Sequence, residues 1–199
     1  MTNRPVYLAA GGTGGHIFPA LAVAEALQTR GYSAHLFTDR RGAKLLGSAS
    51  SFPAKIHVIT AASPFQNGMI KRTVAVTKLA AGTISSLHHL LVRRPALIIG
   101  FGGYPSFVPL VAGRALGIPI LLHEQNAFLG RANRMLAKFA TALALSWPQT
   151  KNLPDMRHAE VTGIPVRQAF FDAAQAPYCL AATARVNLAV LGGSQGASI

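Results

Sequence analysis

The stretch that decides the fold is Val6-Tyr7-Leu8-Ala9-Ala10-Gly11-Gly12-Thr13-Gly14-Gly15-His16-Ile17-Phe18-Pro19-Ala20. Its first five residues are apolar and predict a buried strand, and the glycine cluster behind them predicts a loop that opens a helix running to about Thr29. Glycines are needed where the backbone takes φ > 0 or approaches a ligand closely, and the amides at a helix start point at whatever binds there. The stretch therefore predicts a βα unit with a phosphate-binding turn.

Two common phosphate-binding motifs do not fit this loop. A dinucleotide fingerprint starting at Gly12 needs glycine or alanine at position 17, where the chain has Ile17, and the Gly-Lys-Ser/Thr of a P-loop is absent. For this loop taken alone, a tight turn without a ligand is the alternative. That alternative is disfavoured because glycine loops also follow two later predicted strands.

The 199-residue chain is strongly basic, with 19 Lys+Arg against 6 Asp+Glu and a formal net charge of +13. Such a surface favours an anionic partner, namely nucleic acid, acidic lipid or a phosphorylated substrate. Cys179 is the only cysteine, so the sequence offers neither an intrachain disulfide nor a cysteine zinc site, and we expect no metal. No signal-peptide pattern and no apolar run of about 18 residues is visible, so we expect a cytoplasmic protein that meets a membrane only at its surface.

Apolar runs alternate with helical patterns along the rest of the chain. Strands are predicted over 33–38, 56–60, 96–99, 118–122, 142–146, 160–162 and 185–191, and helices over 69–92, after residue 106 to Leu116, and over 168–174. This alternation indicates an α/β fold with a doubly wound, parallel, Rossmann-like sheet. We interpret Asp39, after the second strand, as part of a surface turn, because the defective fingerprint upstream disfavours a ribose ligand there.

Polar or glycine-rich segments follow several of these strands. They are Gly100-Phe101-Gly102-Gly103-Tyr104-Pro105-Ser106, His123-Glu124-Gln125-Asn126 and Gly192-Gly193-Ser194-Gln195-Gly196-Ala197. Ligands of open parallel sheets gather at the carboxyl ends of the strands, so we interpret the 123–126 cluster as functional. A polar turn satisfied by its own hydrogen bonds is the alternative.

Helix 69–92 carries two sets of apolar residues, with Gly82 as a possible break. The spacing of Ile70, Val74, Thr77, Ala81, Ile84, Leu87 and Leu91 predicts the face that packs on the sheet. The apolar residues left over lie beside cations: Phe65, Met69, Val76 and Leu79 beside Lys71, Arg72 and Lys78. Apolar side chains rimmed by cations suit docking on an anionic membrane, and an ordinary solvated helix face is the alternative.

Taken together, five motifs resemble the MurG family of bacterial N-acetylglucosaminyltransferases, which convert lipid I into lipid II in peptidoglycan synthesis. They are the 11–16 and 102–104 glycine loops, the 123–126 cluster, Gly163-Ile164-Pro165-Val166-Arg167 and the 192–197 loop, in order over essentially the whole chain. The resemblance implies a GT-B fold of two doubly wound domains. Residues 1–174 would be the N-terminal acceptor and membrane domain, 175–184 a linker, and 185–199 the first strand and glycine loop of a truncated donor-binding domain. We therefore expect the fragment alone to be inactive.

The reaction that this resemblance implies is an inverting transfer without a cofactor. The C4 hydroxyl of MurNAc in undecaprenyl-diphosphate-linked MurNAc-pentapeptide, lipid I, attacks the anomeric carbon of UDP-GlcNAc, and UDP leaves. His16, with an unperturbed pKa near neutrality, can act as the base, although a structural histidine is the alternative. Glu124 would orient neighbouring groups or the acceptor sugar.

The resemblance also assigns binding positions. Those matching donor-nucleotide contacts are Thr13, Gly14, Gly15, Asn126, Arg167 and Ser194. Those matching the acceptor diphosphate site are Gly12, Gly102, Gly103 and Tyr104. It further implies a peripheral protein on the cytoplasmic face of the inner membrane, with a part in cell-wall biogenesis, cell shape and cell division.

Two other classes of function remain open. A nucleic-acid-binding domain is favoured by the charge of +13, but no RNA or DNA motif and only 8% aromatic residues support it, so we expect no nucleic-acid partner. A dinucleotide-binding domain is disfavoured by Ile17.

Overall fold

The computed structural model describes residues 4–47, 53–63, 67–155 and 158–177, which form a seven-stranded sheet with helices on both faces. The strands are β1 (Val6–Ala9), β2 (Ala34–Thr38), β3 (Lys55–Val58), β4 (Leu97–Gly100), β5 (Ile120–Glu124), β6 (Ala142–Leu145) and β7 (Ala159–Val161). The helices are α1 (Gly14–Thr29), α2 (Arg40–Gly47), α3 (Met69–Val92), α4 (Tyr104–Ala115), α5 (Arg131–Leu136) and α6 (Gln168–Ala174), with a 3₁₀ turn at Ala137–Phe139.

All neighbouring strands run parallel, in the order β3-β2-β1-β4-β5-β6-β7. The predicted doubly wound, Rossmann-like fold is therefore confirmed. The strand order reverses direction between β1 and β4. In open sheets of this kind, ligands bind in the crevice outside the carboxyl ends of the strands at that reversal.

Two apolar cores lie on opposite faces of the sheet. One packs Leu8 and Leu36 of the sheet against α1 and α2, and the other packs Phe37 and Ile98 against α3, α4 and α5. Because helices cover both faces, the central strands are buried on both sides and read as continuous apolar runs. This is the physical reason that β1, β2 and β4 could be predicted from sequence to within one residue at each end.

Two differences between the sequence prediction and the structure lie at the carboxyl edge of the sheet. Residues 40–47 form α2, which was not predicted. β5 begins at Ile120 and extends to Glu124, so His123 and Glu124 lie within the strand rather than after it. The predicted strand 185–191 and loop 192–197 lie outside the described residues.

The face of α3 that packs on the sheet is not the predicted one. Ile70, Val74 and Ile84 are 82%, 47% and 69% exposed. Thr77, Ala81 and Leu91 are exposed as well, whereas Leu87 is partly buried against the core. The buried stripe consists of Ala75, Gly82, Ser86 and Leu90. Since successive residues turn by about 100°, this stripe lies on the opposite side of the helix from Ile70 and Ile84.

Close approach explains the small residues in that stripe. A Cβ on Gly82 would collide with the backbone carbonyl of Thr60 in the loop after β3 and would lie 3.0 Å from Val108 of α4. Gly82 therefore does not break the helix, which is continuous through it. Within the described ranges, no helix combines the length and apolarity needed to cross a bilayer.

Candidate active site

Two glycine loops meet at the carboxyl edge of the sheet, where the strand order reverses. One follows β1 and the other follows β4. Gly102 and Gly103 have φ of +92° and +77°. A Cβ on Gly102 would lie 3.1 Å from Nε2 of His16, and one on Gly103 would lie 3.0 Å from the carbonyl oxygen of Gly11. Glycine at both positions is what allows the two loops to approach this closely.

The hydrogen bonds of His16 define which ring nitrogen carries the proton. Its Nδ1 lies 3.1 Å from the carbonyl oxygen of Gly11 and 3.2 Å from Oγ1 of Thr13. Because a carbonyl oxygen only accepts, Nδ1 carries the hydrogen in that bond, and Nε2 of the neutral ring keeps its lone pair. That nitrogen is the one beside Gly102.

The pKa of His16 differs from the sequence expectation. Burial lowers this pKa below 6.5, while the hydrogen bond to Gly11 and the charge of Glu124 act in the opposite direction. The expectation of an unperturbed pKa is therefore wrong. The shift keeps the imidazole neutral at pH 7, which is the form able to accept a proton at Nε2.

Glu124 is buried, and four hydrogen bonds hold its carboxylate in place. Oε1 accepts from the backbone N–H and the side-chain amide of Asn126, at 3.0 and 2.9 Å. Oε2 accepts from the backbone N–H of Gly130 and from Nδ2 of Asn133, at 2.9 and 3.0 Å. This carboxylate therefore organises the loop from β5 to α5, including Asn126, and places its charge near His16.

Asn133 belongs to this site, although the sequence analysis missed it. It is buried, and its Nδ2 also donates to the carbonyl oxygen of His123, at 3.1 Å. Its Oδ1 is buried without a hydrogen-bond partner among the described residues. The same Nδ2 lies 3.5 Å from the Cβ position of Gly102, so Asn133 connects the second glycine loop with Glu124. No motif marks a lone asparagine inside a short helix.

Asp39 is part of the site rather than of a surface turn, so that interpretation is wrong. Its Oδ1 accepts from the backbone N–H groups of Gly12 and Gly42, at 3.2 and 2.9 Å, and its Oδ2 accepts from Nε of Arg41 at 3.0 Å. Asp39 thus caps α2 and holds the first glycine loop. Arg41, also missed from sequence, has Nη2 3.4 Å from the Cβ position of Gly12 and places a cation beside that loop.

The other predicted positions on the two loops lie at helix N-termini. Thr13 is the residue before α1, and Gly14 and Gly15 form its first turn. Tyr104 is the first residue of α4, which is preceded by Gly103. Backbone N–H groups in a first helical turn have no intrahelical acceptor and carry a partial positive charge, so both helix starts favour an anion at this edge.

Arg167 approaches the same edge from the loop after β7. Its guanidinium lies 5.5 Å from the ring centroid of Phe18 in α1 and 5.2 Å from that of Phe170 in α6. His123 donates from Nε2 to the carbonyl oxygen of Gly163 at 3.1 Å, which ties the loop that carries Arg167 to β5. Ser194 lies outside the described residues.

The sequence of this chain is similar to a known protein family and to curated relatives. The family model described as "Glycosyltransferase family 28 N-terminal domain" matches residues 6–145. Two relatives, both described as UDP-N-acetylglucosamine--N-acetylmuramyl-(pentapeptide) pyrophosphoryl-undecaprenol N-acetylglucosamine transferase, come from Acidiphilium cryptum and Rhizobium meliloti. The first is 45% identical over 98% of this chain and 53% of its own length, and the second is 43% identical over 99% and 52%. The chain thus spans about half the length of the curated relatives it matches.

Solved structures show the same fold. MurG of Acinetobacter baumannii superposes with a TM-score of 0.66 and 33% identity, covering 78% of this chain and 44% of that one. The UDP-GlcNAc 2-epimerase of Neisseria meningitidis, bound to UDP-GlcNAc, superposes with a TM-score of 0.57 over 80% of this chain and 46% of that one. At 18% identity, the second likeness concerns the fold alone.

Proposed function

The chain belongs to glycosyltransferase family 28, whose N-terminal domain it contains, and from this membership we propose that the protein is an inverting hexosyltransferase acting on lipid I. It transfers GlcNAc from UDP-GlcNAc to the C4 hydroxyl of MurNAc in undecaprenyl-diphosphate-linked MurNAc-pentapeptide and so forms lipid II. The names of the relatives support these substrates. The observation that carries the proposal is the meeting of two glycine loops around a neutral His16, whose Nδ1 is bonded to Gly11 and whose Nε2 lies beside Gly102.

In the proposed reaction, His16 is the general base. Its Nε2 takes the proton of the C4 hydroxyl while the oxygen forms a bond with the anomeric carbon of GlcNAc. The bond from that carbon to the diphosphate breaks on the opposite face, and UDP leaves with the electron pair. A base acts best when its pKa lies near the working pH, because it is then largely unprotonated and still basic enough to take the proton. Glu124 orients Asn126 and favours the protonated imidazole that forms during the step.

The proposed diphosphate site uses the helix N-termini. Gly12, Gly102, Gly103 and Tyr104 hold the diphosphate of the acceptor, and Arg41 adds a cation beside them. The proposed donor contacts are Thr13, Gly14, Gly15, Asn126, Arg167 and Ser194. Aligned backbone N–H groups and cations can stabilise phosphate charge, so the proposal assigns no cofactor.

The proposed division of the chain follows the same family pattern. Residues 1–174 take the acceptor, 175–184 form a linker, and 185–199 begin a domain that supplies most donor contacts. The relatives, which are about twice as long as this chain, support this division. A consequence is that the 199-residue chain by itself should bind UDP-GlcNAc weakly and transfer no sugar.

The proposed membrane surface consists of exposed side chains of α3, most of them in its first three turns. Ile70 and Ile84 are exposed, Met69 is 87% exposed, and Lys71, Arg72 and Lys78 are exposed beside them; Phe65 lies outside the described residues. Each cation near an anionic bilayer contributes about 1 kcal/mol, and apolar burial adds about 25 cal/mol per Å². Such a surface supports reversible, peripheral docking on the cytoplasmic face of the inner membrane.

A transfer assay tests the proposed reaction. The complete protein that contains this chain should move labelled GlcNAc from UDP-GlcNAc to lipid I and release one UDP for each sugar. A lipid I analogue with 4-deoxy-MurNAc should accept no sugar, because it lacks the attacking hydroxyl. Transfer to the deoxy analogue, or no transfer to lipid I, would contradict the proposal.

Vesicle sedimentation tests the membrane surface. Changing Lys71, Arg72 and Lys78 to Glu, or Ile70 and Ile84 to Ser, should reduce binding to phosphatidylglycerol vesicles severalfold, and binding of the unchanged protein should fall as salt rises. The matched control changes the exposed cations Arg30, Lys44 and Lys138 to Glu and should reduce binding much less. Equal losses of vesicle binding in the α3 and control variants would show that binding depends on overall charge rather than on this surface.

A further inference from the structure

A basic cleft lies at the edge of the sheet opposite the glycine loops, where the strands begin. It has a volume of about 390 Å³ and lies beside β3, an edge strand of the sheet. Its lining comes from the starts of β1, β2 and β3 and from the end of α3: Tyr7, His35, Lys55, His57, His88, His89, Val92 and Arg93. The proposed glycosyl transfer uses none of these residues.

Three of its histidines form one connected cluster, in which His35 and His57 are stacked and His89 meets His57 edge-on. Nδ1 of His35 lies 2.8 Å from Nε2 of His57, so one hydrogen joins the two rings. The ring centroids of His57 and His89 are 4.6 Å apart, and Tyr7 stacks on His35 at 4.7 Å. Nδ1 of His89 donates to the carbonyl oxygen of Ser85 at 2.8 Å, which directs Nε2 of that ring away from its own helix.

No described carboxylate lines this cleft, although Lys55 and Arg93 on its rim are permanent cations. Positive charge therefore accumulates without an acidic partner. Burial lowers the pKa of His57 to about 4, and the neighbouring His89, His35 and Lys55 act in the same direction. Burial and the charges of Arg93, Lys55 and His89 also lower the pKa of His35.

An anion fits this chemistry better than a cation. The facing nitrogens of His35 and His57 are occupied with each other, and the described part of the chain holds no group of three His, Cys, Asp or Glu side chains arranged for a metal. Ammonium, guanidinium and imidazole N–H groups are all donors, and phosphate oxygens are strong acceptors. Permanent cations and several convergent donors are what a phosphate group requires.

We propose that the cleft binds a phosphate group, with the cations Lys55 and Arg93 and the imidazoles of His57 and His89 as the groups that contact it. The phosphate can come from a soluble phosphate compound or from a lipid headgroup, because the exposed Leu91 and Val92 stand next to Arg93. This site is independent of the proposed glycosyl transfer. Its failure would leave that function intact.

Binding at this site is coupled to protonation. An anion beside an imidazole favours the charged ring, so phosphate binding takes up protons and strengthens as the pH falls. If binding takes up one proton, the dissociation constant falls about tenfold for each unit by which the pH is lowered. This slope holds between the pKa of the histidine in the free protein and its higher pKa in the bound state. The charged groups that face the imidazoles are Lys55 from β3 and Arg93 after α3. The other titratable groups are the phenol of Tyr7 from β1 and the imidazole of His88, whose ring centroid lies 5.9 Å from that of His89.

NMR of the histidine ring protons in the full chain tests the proposal with two probes. Inorganic phosphate represents the soluble source, and dihexanoyl-phosphatidylglycerol below its micelle concentration represents the lipid source. At pH 5.5, at least one probe should shift the His57 and His89 resonances saturably, with weaker binding at pH 7.5. Lys55→Ala and Arg93→Ala should each raise the dissociation constant about tenfold or more. Both side chains are exposed, so these variants should fold.

The matched control is Lys44→Ala, which removes one exposed cation from α2 on the other face of the sheet. It should change the dissociation constant less than twofold. Saturation by phosphate alone identifies a soluble ligand, and saturation by the lipid alone identifies a headgroup. No saturable shift with either probe at pH 5.5, or equal affinity in the Lys55, Arg93 and Lys44 variants, would overturn the proposal.

Discussion

At the scale of single residues, hydrogen bonding and burial decide what each candidate side chain can do. The sequence analysis proposed His16 as the base, with a structural histidine as the alternative, and gave Glu124 an orienting role. The structure shows a carboxylate with four donors and an imidazole whose Nδ1 donates to Gly11, so that Nε2 of the neutral ring keeps its lone pair. These observations favour His16 as the group that titrates during turnover.

The pH dependence of kcat/KM tests this arrangement. In the wild type, activity should be full above the pKa of His16 and lost as the pH falls through it, at a value below 6.5, because the protonated ring is no longer a base. Glu124→Gln removes a charge that raises this pKa, so its acid limb should move to still lower pH. The exposed Glu160→Gln is the control and should leave the limb in place. An acid limb that moves upward in Glu124→Gln would contradict the proposed coupling.

At the scale of elements, α3 shows where the sequence pattern misleads. Helical periodicity predicted the bounds of this helix correctly but assigned its apolar stripe to the core, as is usual for a surface helix. Three of the four buried residues in the stripe that packs, Ala75, Gly82 and Ser86, are small, and at Gly82 the reason is that α3 lies directly against Thr60 and α4. An apolar stripe that remains exposed indicates an interaction surface. Periodicity alone cannot distinguish the two, because both stripes repeat at the helical spacing.

Gly82→Ala tests the close packing of α3. Alanine favours a helix interior over glycine by about 1 kcal/mol, so an uncrowded site would become more stable. Here the added Cβ meets the carbonyl of Thr60, and overpacking typically costs about 1–3 kcal/mol. We expect a net loss of stability in urea unfolding. Ala81→Leu on the exposed face is the control and should be close to neutral, and a more stable Gly82→Ala would show that α3 packs less closely.

At the scale of the whole molecule, the alternation of buried strands and helices was sufficient to predict the doubly wound fold. Glycine loops after β1 and β4 could be placed at one sheet edge because parallel strands end there together. The contributions of Asp39, Arg41 and Asn133 could not be foreseen. They depend on α2 beginning directly after β2 and on α5 packing back against the end of β5, and neither leaves a motif in the sequence.

The most direct test of the central claim is the kcat for GlcNAc transfer by His16→Asn in the complete protein. Asparagine can still donate to the carbonyl of Gly11 but offers no base at the position of Nε2. Because a general base acts mainly in the transition state, we expect kcat to fall by about 10²-fold or more. The dissociation constant of UDP-GlcNAc should stay within about threefold of the wild-type value. A kcat for His16→Asn within a few fold of the wild type, with equal protein folded, would contradict the assignment of this edge as the site of transfer.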